Sequence, residues 1–366
     1  MYVPGALLAD NHKRSPWIML PISFEEIGYQ STLITGQCLI KNIPIEIYET
    51  NLQNSSTFKS IFEPFLGFRK IFFEEPDIVL ISPIGSYLFT VIPLIMLYKL
   101  RYSIFRNSKT KFILKTDWSF DYSSLKSKYR LLANLIVIVS SHVFNLVSFE
   151  TYCGVDKAKE LPLIKKQTIK RIPLGYPQNV ALNQSNNNSN REKVILCVAR
   201  IHPMKGQNIL IESFAKISKH FPDWKLRFIG PFRDSSYKQR LDELIVENNI
   251  SHLVSFSGFI TEDELYEELN VASIFCLPSV YNESAGNVKY EAISMGLPVV
   301  STDVPCRKDD EEMGCIVANA GDVGDLYDKL TMLISNLALR NSIALYAINK
   351  IYSYRNLAKM YIDSSS

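Results

Sequence analysis

The chain has 366 residues, 47% hydrophobic and 11% aromatic, enough for two packed cores and too apolar for a disordered chain. A formal net charge of +3 gives no nucleic-acid footprint at the level of the whole chain. The six cysteines, at 38, 153, 197, 276, 306 and 315, show no C-x-x-C or Cys/His metal spacing. Cys197 and Cys276 fall in apolar runs and read as buried free thiols, which points to a reducing compartment.

Residues 1–10 lack the length and the basic start of a signal peptide. Strands are predicted over 31–35, 45–48, 78–82, 112–115 and 135–140, where apolar runs rich in β-branched residues are bounded by polar or turn residues. Helix-like segments separate them, which implies a parallel sheet wound on both faces. Residues 78–98 and 131–149 carry no Asp, Glu, Lys or Arg and are long enough to span a bilayer. The first is broken by Pro83, Gly85 and Pro93, the second by Asn134, Ser140, Ser141 and His142. Each also reads as a buried strand joined to a helix. Lys99, Arg101, Arg106, Lys109 and Lys111 follow the first stretch. They give either an apolar and basic surface for in-plane membrane contact or a solvated helix end.

The pattern weakens over 162–180, and the polar tract at 183–190 reads as an interdomain linker or a loop beside it. A second alternating series follows. Strands are predicted over 194–199, 224–229, 253–257 and 273–277. Helices are predicted over 207–219, 237–248, 261–270 and 286–295, the third started by Thr261 as N-cap with Glu262, Asp263 and Glu264 in its first turn. The division is 1–180, linker 181–193, 194–335, and a closing helical segment 336–366.

The segment Pro278-Ser279-Val280-Tyr281-Asn282-Glu283-Ser284-Ala285-Gly286-Asn287-Val288-Lys289-Tyr290-Glu291 carries most of the functional information. Strand, glycine turn and helix is the geometry that aims free backbone N–H groups at an anion. On a continuous helix the eight steps from Glu283 to Glu291 span roughly 12 Å. That suits a long polar ligand held at two points, such as a nucleotide sugar. Exposed helix acids are the alternative. Asn282-Glu283-Ser284 is also an N-glycosylation sequon, awkward on a working glutamate outside the cell. Earlier, Arg200 and Lys205 leave the end of a strand just before a helix. Cations there neutralise a diphosphate; a surface pair is the alternative.

These features together resemble the group 1 (family 4) glycosyltransferases of the GT-B fold. The resemblance covers most of 194–330: Ala199-Arg200 with Lys205-Gly206, Gly230, Phe256-Ser257-Gly258-Phe259-Ile260, and the two-glutamate segment ending in Gly296-Leu297-Pro298-Val299-Val300. It implies two Rossmann-like domains facing a cleft. Arg200 and Lys205 would clamp the donor pyrophosphate, Glu291 would hold the ribose and Glu283 the sugar hydroxyls. Gly286 and Asn287 would offer backbone N–H groups, and the Ile260 backbone would read the nucleobase. Ala285 stands where the family usually has Phe, and residues 11–17 lack the family's Gly-Gly loop. Residues 172–176 resemble the interdomain turn, 28–35 an early Gly-containing strand entry with Tyr29 in place of His, 135–140 a strand ending in Ser, and 354–361 the last helix, which returns to the first domain.

Asp117 follows a strand where the family often places a residue facing the acceptor, and a carboxylate there would hold or deprotonate a hydroxyl; a turn-initiating or N-cap Asp is the alternative. His202 lies near the clamp as a phosphate contact or a plain loop residue. No histidine has metal-ligand spacing. The implied activity is a retaining, metal-independent transfer of a sugar from a nucleotide sugar to an acceptor hydroxyl on a lipid-linked or polysaccharide glycan. No cofactor and no nucleic acid are expected. The expected place is the cytoplasm, with peripheral contact to the membrane face. The alternatives are a nucleotide-sugar epimerase and a non-catalytic nucleotide-binding scaffold that kept the fold.

Overall fold

Strand β1 (Tyr2–Leu8) lies inside a seven-stranded sheet with β2 (Thr32–Cys38), β3 (Glu46–Glu49), β4 (Ile78–Ile81), β5 (Lys111–Thr116), β6 (Leu146–Phe149) and β7 (Ile169–Arg171), in the order β3-β2-β1-β4-β5-β6-β7. The computed structural model describes residues 1–8, 15–40, 43–50, 57–82, 88–105, 109–116, 127–176, 191–232, 234–281, 286–304 and 306–365. All pairings of this sheet are parallel. Both faces must therefore be covered, and the strands alternate accordingly. Phe112 and Leu114 join one apolar cluster with Phe68, Ile95 and Val137, while Ile113 joins Leu20, Leu357 and Tyr361 on the other face. The helices on the first face are α2 (Thr57–Glu74), α3 (Leu88–Phe105), α4 (Ser127–Val143) and α5 (Tyr152–Lys159). The other face is covered by α1 (Pro16–Glu26) and by the last helix of the chain.

The chain divides into unit 1, Met1–Gly175 with Tyr352–Ser366, and unit 2, Tyr176–Ile351. Short strands β8 (Gly175–Tyr176) and β15 (Tyr352–Ser353) pair where the chain leaves and re-enters unit 1. Unit 2 holds a six-stranded parallel sheet of β9 (Val194–Val198), β10 (Lys225–Ile229), β11 (Val254–Phe256), β12 (Ile274–Leu277), β13 (Val299–Thr302) and β14 (Ile316–Ala318), in the order β11-β10-β9-β12-β13-β14. Its helices are α6 (Gln207–Ser218), α7 (Ser235–Glu247), α8 (Glu262–Val271), α9 (Asn287–Ser294), α10 (Arg307–Glu312), α11 (Val323–Ser335) and α12 (Leu337–Ile348). Helix α13 (Tyr354–Ser365) closes the chain on α1.

Three expectations change. Residues 135–140 are not a strand: they lie inside α4, with Val137, Ser140 and Ser141 buried and Leu135 exposed. The strand is β6, ten residues further on, entered through Asn145, whose side-chain oxygen accepts the Phe112 N–H at 3.0 Å. The return to unit 1 comes at Tyr352 rather than 336, because α12 packs on α9 and α11 and belongs to unit 2. Residues 191–193 belong to unit 2 as well. The Arg191 guanidinium donates to the carbonyls of Leu269, Asn270 and Ala272 at the end of α8 and to Met295 O at 2.6 Å. Four carbonyls satisfy it at a helix C-terminus, while burial pulls its pKa down to about 10. Residues 181–190 of the expected linker lie outside the described residues.

Of the two long uncharged stretches, 78–98 divides into β4 and most of α3, and 131–149 into α4 and β6. Among the described residues no helix is long and apolar enough to cross a membrane.

The Thr261 cap forms as a full capping box: its Oγ1 accepts from Glu264 N, and the Glu264 carboxylate accepts from Thr261 N at 2.7 Å. Those hydrogen bonds hold the exposed Glu264 carboxyl below its ordinary pKa. Thr261→Ala should cost about 1 kcal/mol, read as a shift in urea midpoint at unchanged slope.

Candidate functional site

In unit 2 the chain starts at β9, winds outward through β10 and β11, and returns to β12 on the other side of β9. The connections leaving β9 and β12 therefore run in opposite directions. A crevice opens at their carboxyl ends, where open parallel sheets bind ligands. The segments that follow these two strands are 199–206 and 278–286, the ones that carry Arg200, Lys205 and Gly286, with Asn287 next as the first residue of α9.

Each segment is fixed by contacts its own sequence supplies. Past β9, a short 3-10 turn (Pro203–Lys205) is started by His202, whose Nδ1 accepts the Met204 N–H at 3.3 Å. Gly206 ends it at φ 63° and begins α6. A Cβ on Gly206 would stand 2.0 Å from Pro278 O, so glycine alone lets the two segments approach this closely. Val280 N then donates to Met204 O at 2.9 Å and ties them together. Buried Gln207 donates its side-chain N–H to Arg200 O at 2.9 Å. The backbone of Arg200 is held while its side chain stays exposed.

The turns past β10 and β11 join the same edge. Gly230, at φ 140°, lies where a Cβ would sit 2.1 Å from Ala199 O, and its N–H donates to Gly258 O at 2.7 Å. Half-buried Ile260 follows in the turn past β11. Asp234 caps α7 by accepting from Tyr237 N. Its carboxyl is held below the usual range by Ser236, by that N–H and by the nearby His202. The Lys205 charge reaches the buried Cys197 beneath it, opposing the burial that pushes this thiol up to about 12.

Helix α9 starts at Gly286, φ 74°, with no side-chain cap. Its first N–H groups have no partner within the helix, as at any helix start. Asn287 is exposed there, and Glu291, one turn on, is half-buried. The glutamate's carbonyl accepts from Met295 N at 3.1 Å and from Ser294 Oγ at 2.7 Å. Arg200, Lys205, Ile260, Gly286, Asn287 and Glu291 thus all belong to the segments leaving the carboxyl edge of one sheet, the first two and the last three at its switch point. Glu283, with Asn282, Ser284 and Ala285, lies outside the described residues, and so does Asp117, which follows β5 in sequence. At that edge of unit 1 the described neighbours are Lys115 and Glu150, an ion pair of 2.8 Å with both side chains under a tenth exposed.

One feature of the site escaped the sequence. Lys289, in the first turn of α9, is 1% exposed, and its Nζ lies 2.5 Å from Asp310 Oδ1 of α10. Its aliphatic stem runs under the turn: a Cβ on Gly286 would meet Lys289 Cε at 2.8 Å. The pair braces α9 from inside. A lysine inside Asn287-Val288-Lys289-Tyr290 reads as a solvated side chain, and only its position among the buried Tyr290, Ala292 and Ile293 of the same helix gives a signal. Among the described residues no group of three His, Cys, Asp or Glu side chains is placed to hold a metal ion.

The profile of the family described as glycosyl transferases group 1 matches residues 180–350. An uncharacterized glycosyltransferase of Methanocaldococcus jannaschii is 26% identical over 261 residues, 68% of this chain and 60% of the relative. A D-inositol 3-phosphate glycosyltransferase of Corynebacterium urealyticum is 31% identical over 180 residues, 47% of this chain and 42% of the relative. The matched region thus spans less than two thirds of either relative. Among solved structures, a glycosyltransferase of Rickettsia africae superposes with a TM-score of 0.74 at 15% identity, over 100% of this chain and 96% of that one. Anabaena HepE in complex with UDP and glucose superposes with a TM-score of 0.69 at 16% identity, over 99% and 98%. At these identities the superpositions establish the shared fold.

Proposed function

We propose that the chain is a glycosyltransferase of group 1, whose profile matches residues 180–350, and that it moves a sugar from a nucleotide-sugar donor to an acceptor hydroxyl. The observation that carries the reading is the switch point: two cations and an uncapped helix start leave adjacent strands of one sheet. In the transfer the bond from the anomeric carbon to the diphosphate breaks, and a bond from that carbon to the acceptor oxygen forms. Negative charge grows on the departing diphosphate. Arg200, Lys205 and the α9 N–H groups meet that charge, an electrostatic contribution that ranks among the largest in enzymes.

Glu291 holds the ribose and the Ile260 backbone meets the base. Gly286 and Asn287 offer N–H groups between the two. Glu283 orients the sugar hydroxyls, and Asp117 holds or deprotonates the acceptor. By resemblance the anomeric configuration is retained and the cationic pair does what a metal does elsewhere. The acceptor class is a lipid-linked or polysaccharide glycan, in keeping with the apolar and basic helices of unit 1.

The test is a thermal-shift and turnover screen with UDP-, GDP- and ADP-sugars, beside Lys205→Ala and Glu291→Ala. One donor should raise the melting temperature; at 100 times its Kd the gain is about 2.7 kcal/mol. Both substitutions should abolish that gain, and Lys205→Ala should lower turnover about 100-fold. No response to any nucleotide sugar would overturn the reading in favour of a scaffold. Conversion of the donor to an epimeric nucleotide sugar without acceptor would make the protein an epimerase.

A further inference from the structure

Helix α3 is apolar on both sides. One face packs into unit 1 through Leu88, Val91, Ile95 and Tyr98. The opposite face carries Phe89, Pro93, Met96, Leu97 and Leu100, spaced as one stripe at i, i+4, i+7, i+8 and i+11, and all five are exposed. A soluble helix would place charged and polar residues there. The stripe continues on both neighbours. Leu131 and Leu135 of α4 are 73% and 55% exposed, and Phe65 and Phe73 of α2 are 50% and 79% exposed. Helix α3 packs against both α2 and α4, so the three make one apolar face, larger than isolated exposed side chains explain.

On α3 and α4 the charges have one sign, while α2 adds Arg69 and the half-exposed Glu74, which pairs with Lys70. Neither α3 nor α4 contains an acidic residue, while Lys99, Arg101 and Arg130 lie on them. Arg101 stands 5.7 Å from the centre of the Phe72 ring and Arg69 5.9 Å from that of Phe73, so each cation sits beside the apolar surface. A second copy meeting this face about a two-fold axis would bring like charges together. A bilayer with anionic headgroups complements both the apolar stripe and its basic border.

We propose that the α2–α3–α4 face of unit 1 docks in-plane on a membrane surface that carries anionic lipid. The membrane is the partner, and docking keeps unit 1 beside an acceptor that resides there. This extends the acceptor half of the proposed function, and its test uses no turnover, so each reading can fail without the other.

The full chain is floated with vesicles of phosphatidylcholine alone and of phosphatidylcholine with an equal part of phosphatidylglycerol. Partition onto the anionic vesicles should be at least about 10-fold higher and should fall with added salt. The double substitution Leu97→Glu, Leu100→Glu should abolish flotation while the melting temperature holds, because both side chains are exposed. Leu131→Glu on α4 reads the same face independently. Arg101→Gln with Arg130→Gln should remove most of the preference for anionic vesicles. The proposal is overturned if the wild-type chain stays with the soluble fraction, if the double glutamate variant floats like wild type, or if the face instead joins two copies, seen as a dimer that Leu97→Glu with Leu100→Glu converts to monomer.

Discussion

Lys289→Met should lower the stability of unit 2 by about 3–5 kcal/mol. Lys289 and Asp310 are 1% and 3% exposed, so removing the cation leaves a carboxylate buried without its ion-pair partner. Among the described residues Asp310 Oδ2 already lacks a hydrogen-bond partner. The deficit is one of burial rather than lost attraction. Lys289→Met combined with Asp310→Leu should therefore recover most of it, since a buried pair and an apolar pair of similar size are often close in stability. The single variant should also bind donor more weakly than the double, because α9 shifts when its inner brace is left uncompensated. Urea unfolding of the four proteins in a double-mutant cycle checks this. A loss under 1 kcal/mol for the single variant would mean that water reaches Asp310.

The second half of the chain was legible because its local signals agree with its tertiary structure. The Thr261–Glu264 box, the Gly206 and Gly286 helix starts and the apolar strands β9 and β12 all state in sequence what they do in space. The first half hides more. Strand β1 contains Pro4 and Gly5, which argue against a central strand. Its pairing with β2 runs Tyr2↔Ile34 and Val3↔Thr35, then shifts register before Leu7↔Gln37, so the irregularity falls on those residues. Residues 135–140 look like a strand by their β-branched content. In α4 they show a helical burial period instead, but inverted, with Ser140 and Ser141 inside and Leu131 and Leu135 outside. Hydrophobic periodicity assumes that the outer face meets water. At α4 the outward face carries Leu131 and Leu135, so the rule fails there. Lys289 and Asp310 were hidden for another reason: they stand 21 residues apart on different helices, and their pairing leaves no local mark.

Gly206→Ala and Gly258→Ala should separate two costs that a glycine avoids. Their backbones are nearly alike, at φ 63° and φ 68°, so any other residue pays about 1–2 kcal/mol at either position for the left-handed conformation. Their surroundings differ. A Cβ on Gly258 would meet nothing within 4 Å, whereas one on Gly206 would stand 2.0 Å from Pro278 O, against the ~3.3 Å of a close carbon–oxygen contact. The obstacle is main chain and cannot rotate aside. The segments past β9 and β12 must separate by about 1 Å, adding roughly 1–3 kcal/mol of overpacking and pulling on the Val280 N to Met204 O hydrogen bond. Gly206→Ala should thus cost about 2–5 kcal/mol in all. Displacing Lys205 from α9 by that distance should also lower turnover about 100-fold, while Gly258→Ala stays within a few-fold of wild type. Urea midpoints and donor turnover of the two variants, measured side by side, decide it. Equal losses of turnover would mean that the close approach of the two segments does not set the donor site.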